Sequence, residues 1–173
     1  NPEQPAVETL FAYLHAHVLT GHFSIDCHSV ARALSSGNYN CLSGTVLFIG
    51  LAERCGVPAK AVLAPTHVLA RANVRGVEQD IETTVPSWFR ETVASREQRL
   101  AAALGNGASD HRRVLSSIEL LAVVYYNRGV EAFAKRDFAA ACACNLIALR
   151  LDSDNVSARD NLLAAINNWA LQS

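Results

Sequence analysis

Several features that would assign the chain to a class at once are missing. Its 173 residues include no methionine, even at position 1. We therefore expect that the native start was removed. A cleaved signal peptide is one explanation, which leaves the compartment open and makes an extracytoplasmic protein one interpretation. No segment approaches the roughly 18 uninterrupted apolar residues that a membrane span needs, so none is expected in this chain.

The charged residues and the cysteines also lack the patterns that would indicate a nucleic-acid-binding or a metal-binding protein. The formal net charge is −1 and no long basic run occurs, so nucleic acid is not an expected partner. The five cysteines are an odd number without a C-x-x-C pair, which argues against a disulfide scaffold, a metal site or a metal cofactor. No other cofactor is expected either. At least one thiol should be free.

Apolar periodicity predicts helices in the first third of the chain. Amphipathic patterns cover residues 6–20 and 24–34, and a buried helix is predicted from Cys41 to about Arg54. The basic residue at its end, followed by Gly56 and then Pro58, is a typical stop signal. Half of all residues are hydrophobic, so the chain can bury a sizeable core.

A short strand is predicted over residues 59–64, and two more strands, "THVLARA" and "VEQDIET", flank a predicted four-residue hairpin loop, "NVRG". Helix returns at 87–103. The clearest linker, "LGNGASD", spans 104–110. These elements predict an α+β fold, with one domain over residues 1–110 and a second over 111–173.

The second domain is predicted to be helical from Ile118 onward. Its segment "YYNRGVEAFAKRDFAAACACNLIALRLDSDN" resembles one tetratricopeptide repeat, with small Gly129, Ala141 and Ala148 where two helices cross closely. A further helix follows and would begin an incomplete second unit. Because so few repeats do not bury a core alone, the resemblance implies that this module packs on the preceding domain.

Cys41 is the first candidate functional residue. It follows Asn38-Tyr39-Asn40, and asparagine is a good N-cap, so the thiol is expected in the first turn of its helix. Unpaired N–H groups and the helix dipole favour negative charge there, and the thiolate is the nucleophilic form of cysteine. The alternative is a buried cysteine that packs as a small apolar residue.

His67 and Glu82 are the next candidates. If "NVRG" is a four-residue loop, Ala72 pairs with Val77 and His67 falls directly opposite Glu82. Asp80 lies on the same face but diagonally, so it is a supporting candidate. A carboxylate beside an imidazole fixes its tautomer and stabilises its charged form, and such a histidine can take a proton from a thiol.

The order Cys41, His67, Glu82, together with "AERCGVPAK", "HVLAR" and "DIETT", resembles the transglutaminase-like superfamily, which is related to papain-like cysteine enzymes. The resemblance implies a cysteine helix packed on a small antiparallel sheet. It also implies that Cys41 is the nucleophile, that His67 is the base and that Glu82 replaces the usual aspartate. Bacterial members are fused to tetratricopeptide repeats, which suits the C-terminal segment.

The resemblance implies thiol-dependent acyl transfer or amide and peptide hydrolysis on a peptide or protein substrate, by a protease, an amidase or a transglutaminase-like acyltransferase. The Cys41 N–H and the side chain of Asn38 or Asn40 are candidate donors to the developing oxyanion. A second hypothesis stays open. In it the chain is an inactive module of the same fold that binds a protein partner through its repeat-like helices.

Overall fold

The computed structural model describes residues 6–65, 67–104 and 112–172. They form two compact units, which divide between Leu115 and Ser116. In the first unit, the helices are α1 (Val7–His17), α2 (Val30–Ser36), α3 (Cys41–Arg54) and α4 (Val93–Leu104), with one 3₁₀ turn (Trp88–Arg90). Its strands are β1 (Ala59–Ala64), β2 (His67–Val74), β3 (Val77–Ile81) and β4 (Arg113–Leu115). The second unit consists of α5 (Ser117–Ala134), α6 (Phe138–Leu151) and α7 (Val156–Gln172).

The four strands form one antiparallel sheet in the order β3-β2-β1-β4. The predicted α+β class is therefore confirmed. The short β4 pairs with β1, where Leu115 lies opposite Ala61. This pairing keeps residues 113–115 with the first unit, so the units divide five residues later than the predicted 110/111 boundary. The predicted linker, apart from Leu104 at the end of α4, lies outside the described residues.

The predicted four-residue hairpin loop is wrong. Val74 pairs with Val77, which leaves a two-residue turn of Arg75 and Gly76. Both turn residues have positive φ, 53° and 87°, as a type I′ turn requires at its two central positions. The register is therefore shifted by two residues from the predicted one. Because side chains alternate with a period of two, this shift keeps every β3 side chain on its predicted face.

The helix α3 begins and ends at specific caps. Asn40 and Ser43 form a reciprocal capping box at its start, which satisfies two N–H groups that the helix itself leaves unpaired. At its end Gly56 has φ 71°, and Val57 N–H donates to the carbonyl of Ala52, a Schellman ending. The helix packs on β1 and β2, so its first turn is fixed relative to the sheet.

In the second unit, α5 packs against α6 and α6 against α7. The small residues Gly129, Ala141 and Ala148 on α5 and α6 are all buried. The side chain of Asn145 lies directly against Gly129. Within the described residues, no helix has both the length and the apolar character that a membrane crossing requires.

Candidate active site

Cys41 occupies the first helical position of α3. Its side chain is half-buried, and the thiol is free. The first intrahelical hydrogen bond runs from the Gly44 N–H to the Asn40 carbonyl, and the Asn40 side chain takes the Ser43 N–H. The N–H groups of Cys41 and Leu42 thus belong to the open end of the helix, where the dipole is positive.

His67 begins β2 and contacts both other candidates. Its Nε2 lies 2.5 Å from Glu82 Oε2, and the Cys41 side chain is close enough to be one of the groups that raise its pKa. His67 and Glu82 are in contact, as predicted, but they are not directly opposite each other in the strand register. Extending the register beyond the Ala70–Ile81 pair sets position 67 level with 84. Glu82, on the same face, therefore reaches His67 diagonally.

The charges of the three residues favour an imidazolium. Burial lowers the pKa of His67, but the hydrogen bonds to Cys41 and Glu82 and the negative charges of these partners outweigh it and raise the pKa to about 10. Burial raises the pKa of Glu82, yet the hydrogen bond and charge of His67 and two hydrogen bonds from Thr84 hold it below its usual value. At neutral pH an ionised Glu82 therefore faces a protonated His67.

The Glu82 carboxylate is almost fully buried, with 4% of the residue exposed. Its second oxygen, Oε1, accepts from the Thr84 N–H at 2.9 Å and from the Thr84 hydroxyl at 2.6 Å. Both oxygens are thus hydrogen bonded, as a buried carboxylate requires. The result is an acid whose orientation toward His67 is fixed from the opposite side.

Asp80, the supporting candidate, has a different role in the structure. It lies opposite Arg71 in the register, and its two oxygens accept from Arg71 Nε at 2.6 Å and Nη2 at 3.0 Å. Arg112 adds a longer contact of 3.4 Å. Because this bidentate pair occupies the carboxylate, Asp80 takes no part in the arrangement around His67.

The two candidate asparagines differ, because only Asn40 has its amide protons engaged. The Asn40 side chain donates to the Ile25 carbonyl at 3.1 Å and lies 2.7 Å from His28 Nδ1, while its oxygen accepts the Ser43 N–H. Both amide protons are used, so none is left for an oxyanion. The oxygen of Asn38 accepts the His22 N–H, which directs that side chain toward the loop before α2. Asn40 is therefore excluded as a side-chain donor, while the amide of Asn38 and the open N–H groups of α3 stay candidates.

The other four cysteines lack this setting. Cys27 is buried and donates to the Asn38 carbonyl, and burial raises the pKa of its thiol. Burial likewise raises the thiol pKa of Cys142 and Cys144 in the second unit. Cys55 is half-buried like Cys41 but caps the C-terminal end of α3, where the helix leaves carbonyl groups and not N–H groups unpaired.

Two supporting residues were not predicted from the sequence. Thr84 was visible only as part of "DIETT", and the role of its hydroxyl depends on the turn that follows β3. His28 follows Cys27 in the sequence, and no local pattern there marks it as part of a site. In the structure it precedes α2 and accepts from Asn40 through Nδ1, since the Asn40 amide nitrogen can only donate.

Among the residues that the structure describes, no group of three or more His, Cys, Asp or Glu side chains is placed to hold a metal ion. Comparison of the chain with protein-family models, with curated proteins and with solved structures found no match. What the site can do is therefore inferred from its chemistry: a half-buried thiol at a helix N-terminus, an imidazolium that interacts with it, and an ionised carboxylate hydrogen bonded to that imidazolium.

Proposed function

We propose that the first unit is a transglutaminase-like thiol enzyme that transfers or hydrolyses acyl groups of peptide or protein substrates through Cys41, His67 and Glu82. One observation carries the proposal: the His67 imidazole is hydrogen bonded to the buried Glu82 carboxylate, and the same imidazole interacts with the Cys41 side chain strongly enough for Cys41 to help raise its pKa. This is the relation that a nucleophile, its base and the group orienting the base require.

In the first half-reaction, the Cys41 thiolate attacks the carbonyl carbon of an amide. The carbonyl π electrons move to oxygen and give a tetrahedral oxyanion. The imidazolium of His67 then donates its proton to the leaving nitrogen, the C–N bond breaks and a thioester remains. Glu82 keeps the imidazole oriented throughout and stabilises its charged form.

The second half-reaction returns the thiol. Water or an amine approaches the thioester, His67 accepts its proton, and the new C–O or C–N bond displaces the Cys41 thiolate. The result is a carboxylic acid with water and a new amide with an amine. The oxyanion of either step is suited to the N–H groups of Cys41 and Leu42, which are rigid, already oriented and near the positive end of α3.

Thiol reactivity tests the proposal, and the chain supplies its own control. Cys41 and Cys55 are both free and half-buried, at opposite ends of the same helix. Iodoacetamide at pH 7, with site-resolved peptide mass spectrometry, should label Cys41 at least tenfold faster. His67→Gln and Glu82→Gln should slow labelling of Cys41 and leave Cys55 unchanged. Equal rates at the two sites would contradict an activated nucleophile.

Turnover decides between hydrolysis and transfer. A quenched-fluorescence peptide library and a fluorescent primary amine, offered together, report cleavage and amine incorporation in one reaction. Cys41→Ala should abolish both signals while leaving the circular dichroism spectrum unchanged. Preferential incorporation would indicate an acyltransferase, and cleavage alone would indicate a protease or amidase.

A second candidate function is protein binding by the helical unit. Its α5–α6 pair resembles a tetratricopeptide repeat, and apolar side chains stand exposed on its helices, with Leu146 51% and Leu163 61% exposed. Exposed apolar surface of this kind favours a protein partner. An inactive module would show Cys41 labelling no faster than Cys55 and no turnover, which separates it from the enzyme.

A further inference from the structure

The turn after β3 connects the three candidate elements through threonine hydroxyls. Thr45, on α3, donates its hydroxyl proton to the Val68 carbonyl of β2 at 3.3 Å. Its oxygen lies 3.1 Å from the Thr83 hydroxyl. Because a hydroxyl has one proton, Thr83 must donate to Thr45. Thr83 is therefore held to α3 by its contact with Thr45, and through Thr45 to β2.

Thr84 then acts on Glu82 from a fixed position. Its N–H and its hydroxyl converge on the same carboxylate oxygen, and a carboxylate that is ionised can only accept. Two donors on Oε1 restrict rotation of the carboxylate and leave Oε2 directed at His67 Nε2. Hydrogen bonds to a charged group are the stronger kind, so the hydroxyl is not a minor contact.

We propose that Thr84 is a positioning residue of the site, and that its hydroxyl holds Glu82 in the rotamer that orients His67. The inference rests on the proposed function for its consequence in catalysis. The geometric part, that the hydroxyl fixes the His67–Glu82 contact, stands separately. Thr84 touches neither the thiol nor a reacting atom in this scheme, and acts only through Glu82.

The test replaces the hydroxyl without changing the shape of the side chain. Thr84→Val keeps the β-branch and the N–H but removes the hydroxyl, and Thr84→Ser keeps the hydroxyl and removes the methyl group. Thr92→Val is the matched control, because the Thr92 hydroxyl accepts the Ser95 N–H at the start of α4 and has no role at the site. Circular dichroism checks that all three variants fold.

The first readout is the NMR signal of the His67 Nε2 proton, assigned by its loss in His67→Gln. In Thr84→Val we expect this proton to exchange with water at least about fivefold faster, as loss of one charge-assisted hydrogen bond implies. The pKa of Glu82, followed by NMR, should also rise, because a donor that lowers it is gone.

Thr84→Ser and Thr92→Val should retain the proton signal and the Cys41 alkylation rate within about twofold, whereas Thr84→Val should lower that rate about five- to tenfold. The inference is overturned if Thr84→Val behaves as wild type, or if Thr84→Ser loses as much as Thr84→Val. A different result would overturn the proposed function: Cys41 of the wild type would label no faster than Cys55. In that case the proton signal still tests whether Thr84 holds Glu82.

Discussion

At the scale of single residues, His67 sets a pH dependence of stability. Its pKa is raised to about 10 in the folded chain, against about 6.5 when unfolded. The folded state therefore binds the proton more tightly, and the stabilisation is fully present below about pH 6.5 and is lost between 6.5 and 10. We predict that the free energy of unfolding falls across this window by up to about 1.4 kcal/mol per pH unit.

Urea denaturation at pH 6, 7.5 and 9 measures this slope. In His67→Gln the fall should be clearly shallower, since the titrating group is gone. Glu82→Gln should flatten it as well, because the carboxylate is a cause of the shift. Parallel curves for wild type and His67→Gln would show that the pair does not hold a proton in the folded chain.

The length of the Glu82 side chain leads to a second prediction at the scale of single residues. Aspartate is the usual acid in the superfamily that we propose for the chain, so Glu82→Asp introduces the acid that is common there. We nevertheless predict a loss. A side chain one methylene shorter cannot reach both His67 and the two donors of Thr84. Alkylation of Cys41 should slow roughly 10- to 100-fold, the scale of a misplacement of about 1 Å.

Asp80→Asn is the control for this prediction. It removes the charge and one of the two acceptor oxygens that hold Arg71, and it should leave the rate at Cys41 unchanged after correction for folded fraction. A faster reaction in Glu82→Asp than in the wild type would mean that Thr84 is not a fixed point of the site.

The contact between His67 and Glu82 could be predicted from sequence although the hairpin register could not. A loop miscounted by two residues leaves the side-chain face unchanged, so the error moved Glu82 along the face and not off it. The hydrogen-bond partners of Asn40 and Asp80 could not be predicted in the same way. They include Ile25, His28 and Arg71, and the pattern of one segment does not specify which distant groups take up a side chain.

At the scale of secondary-structure elements, the crossing of α5 and α6 has a testable steric limit. A Cβ on Gly129 would lie 2.5 Å from the Asn145 side-chain nitrogen. Asn145 is fully buried and donates to the Ala141 carbonyl, so it cannot easily withdraw. We predict that Gly129→Ala destabilises the chain by about 1–2 kcal/mol, since overpacking outweighs the gain in helix propensity.

A double-mutant cycle assigns this cost to the contact. In an Asn145→Ala background the same Gly129→Ala change should become neutral or stabilising by about 0.5–1 kcal/mol. Gly50→Ala is the matched control, because nothing lies within 4 Å of its added Cβ and it should stabilise α3 equally in both backgrounds. Additive values for positions 129 and 145 would refute the steric explanation.

Elements whose ends carry local signals were the ones that sequence predicted best. α3 starts after an asparagine cap and ends at Arg54, before the positive-φ Gly56, as expected, because caps are local chemistry. The length of the hairpin loop was predicted wrongly because its turn carries no such local signal. Its turn uses Arg75 at φ 53°, where asparagine or glycine gives the usual signal, so "RG" did not mark the turn. The three-residue β4 has too little pattern to predict.

At the scale of the whole molecule, β4 decides where the first unit ends. Leu115 is buried and pairs with Ala61 of β1, and Val114 pairs with Val62. A fragment of residues 1–110 lacks this strand, whereas 1–115 retains it. We predict that the shorter fragment is less stable by roughly 2–4 kcal/mol, from the lost burial of one leucine and the exposed edge of β1.

Thermal and urea unfolding of the two fragments measure the difference. Leu115→Ala in the 1–115 fragment separates the side chain from the strand, because it removes the apolar group and keeps the backbone pairing with β1. It should cost about 2–3 kcal/mol and leave the fragment between the other two in stability. If residues 1–110 unfold at the same urea concentration as 1–115, β4 contributes nothing to the first unit, and the boundary that the sequence predicted at 110 is the better description of the chain.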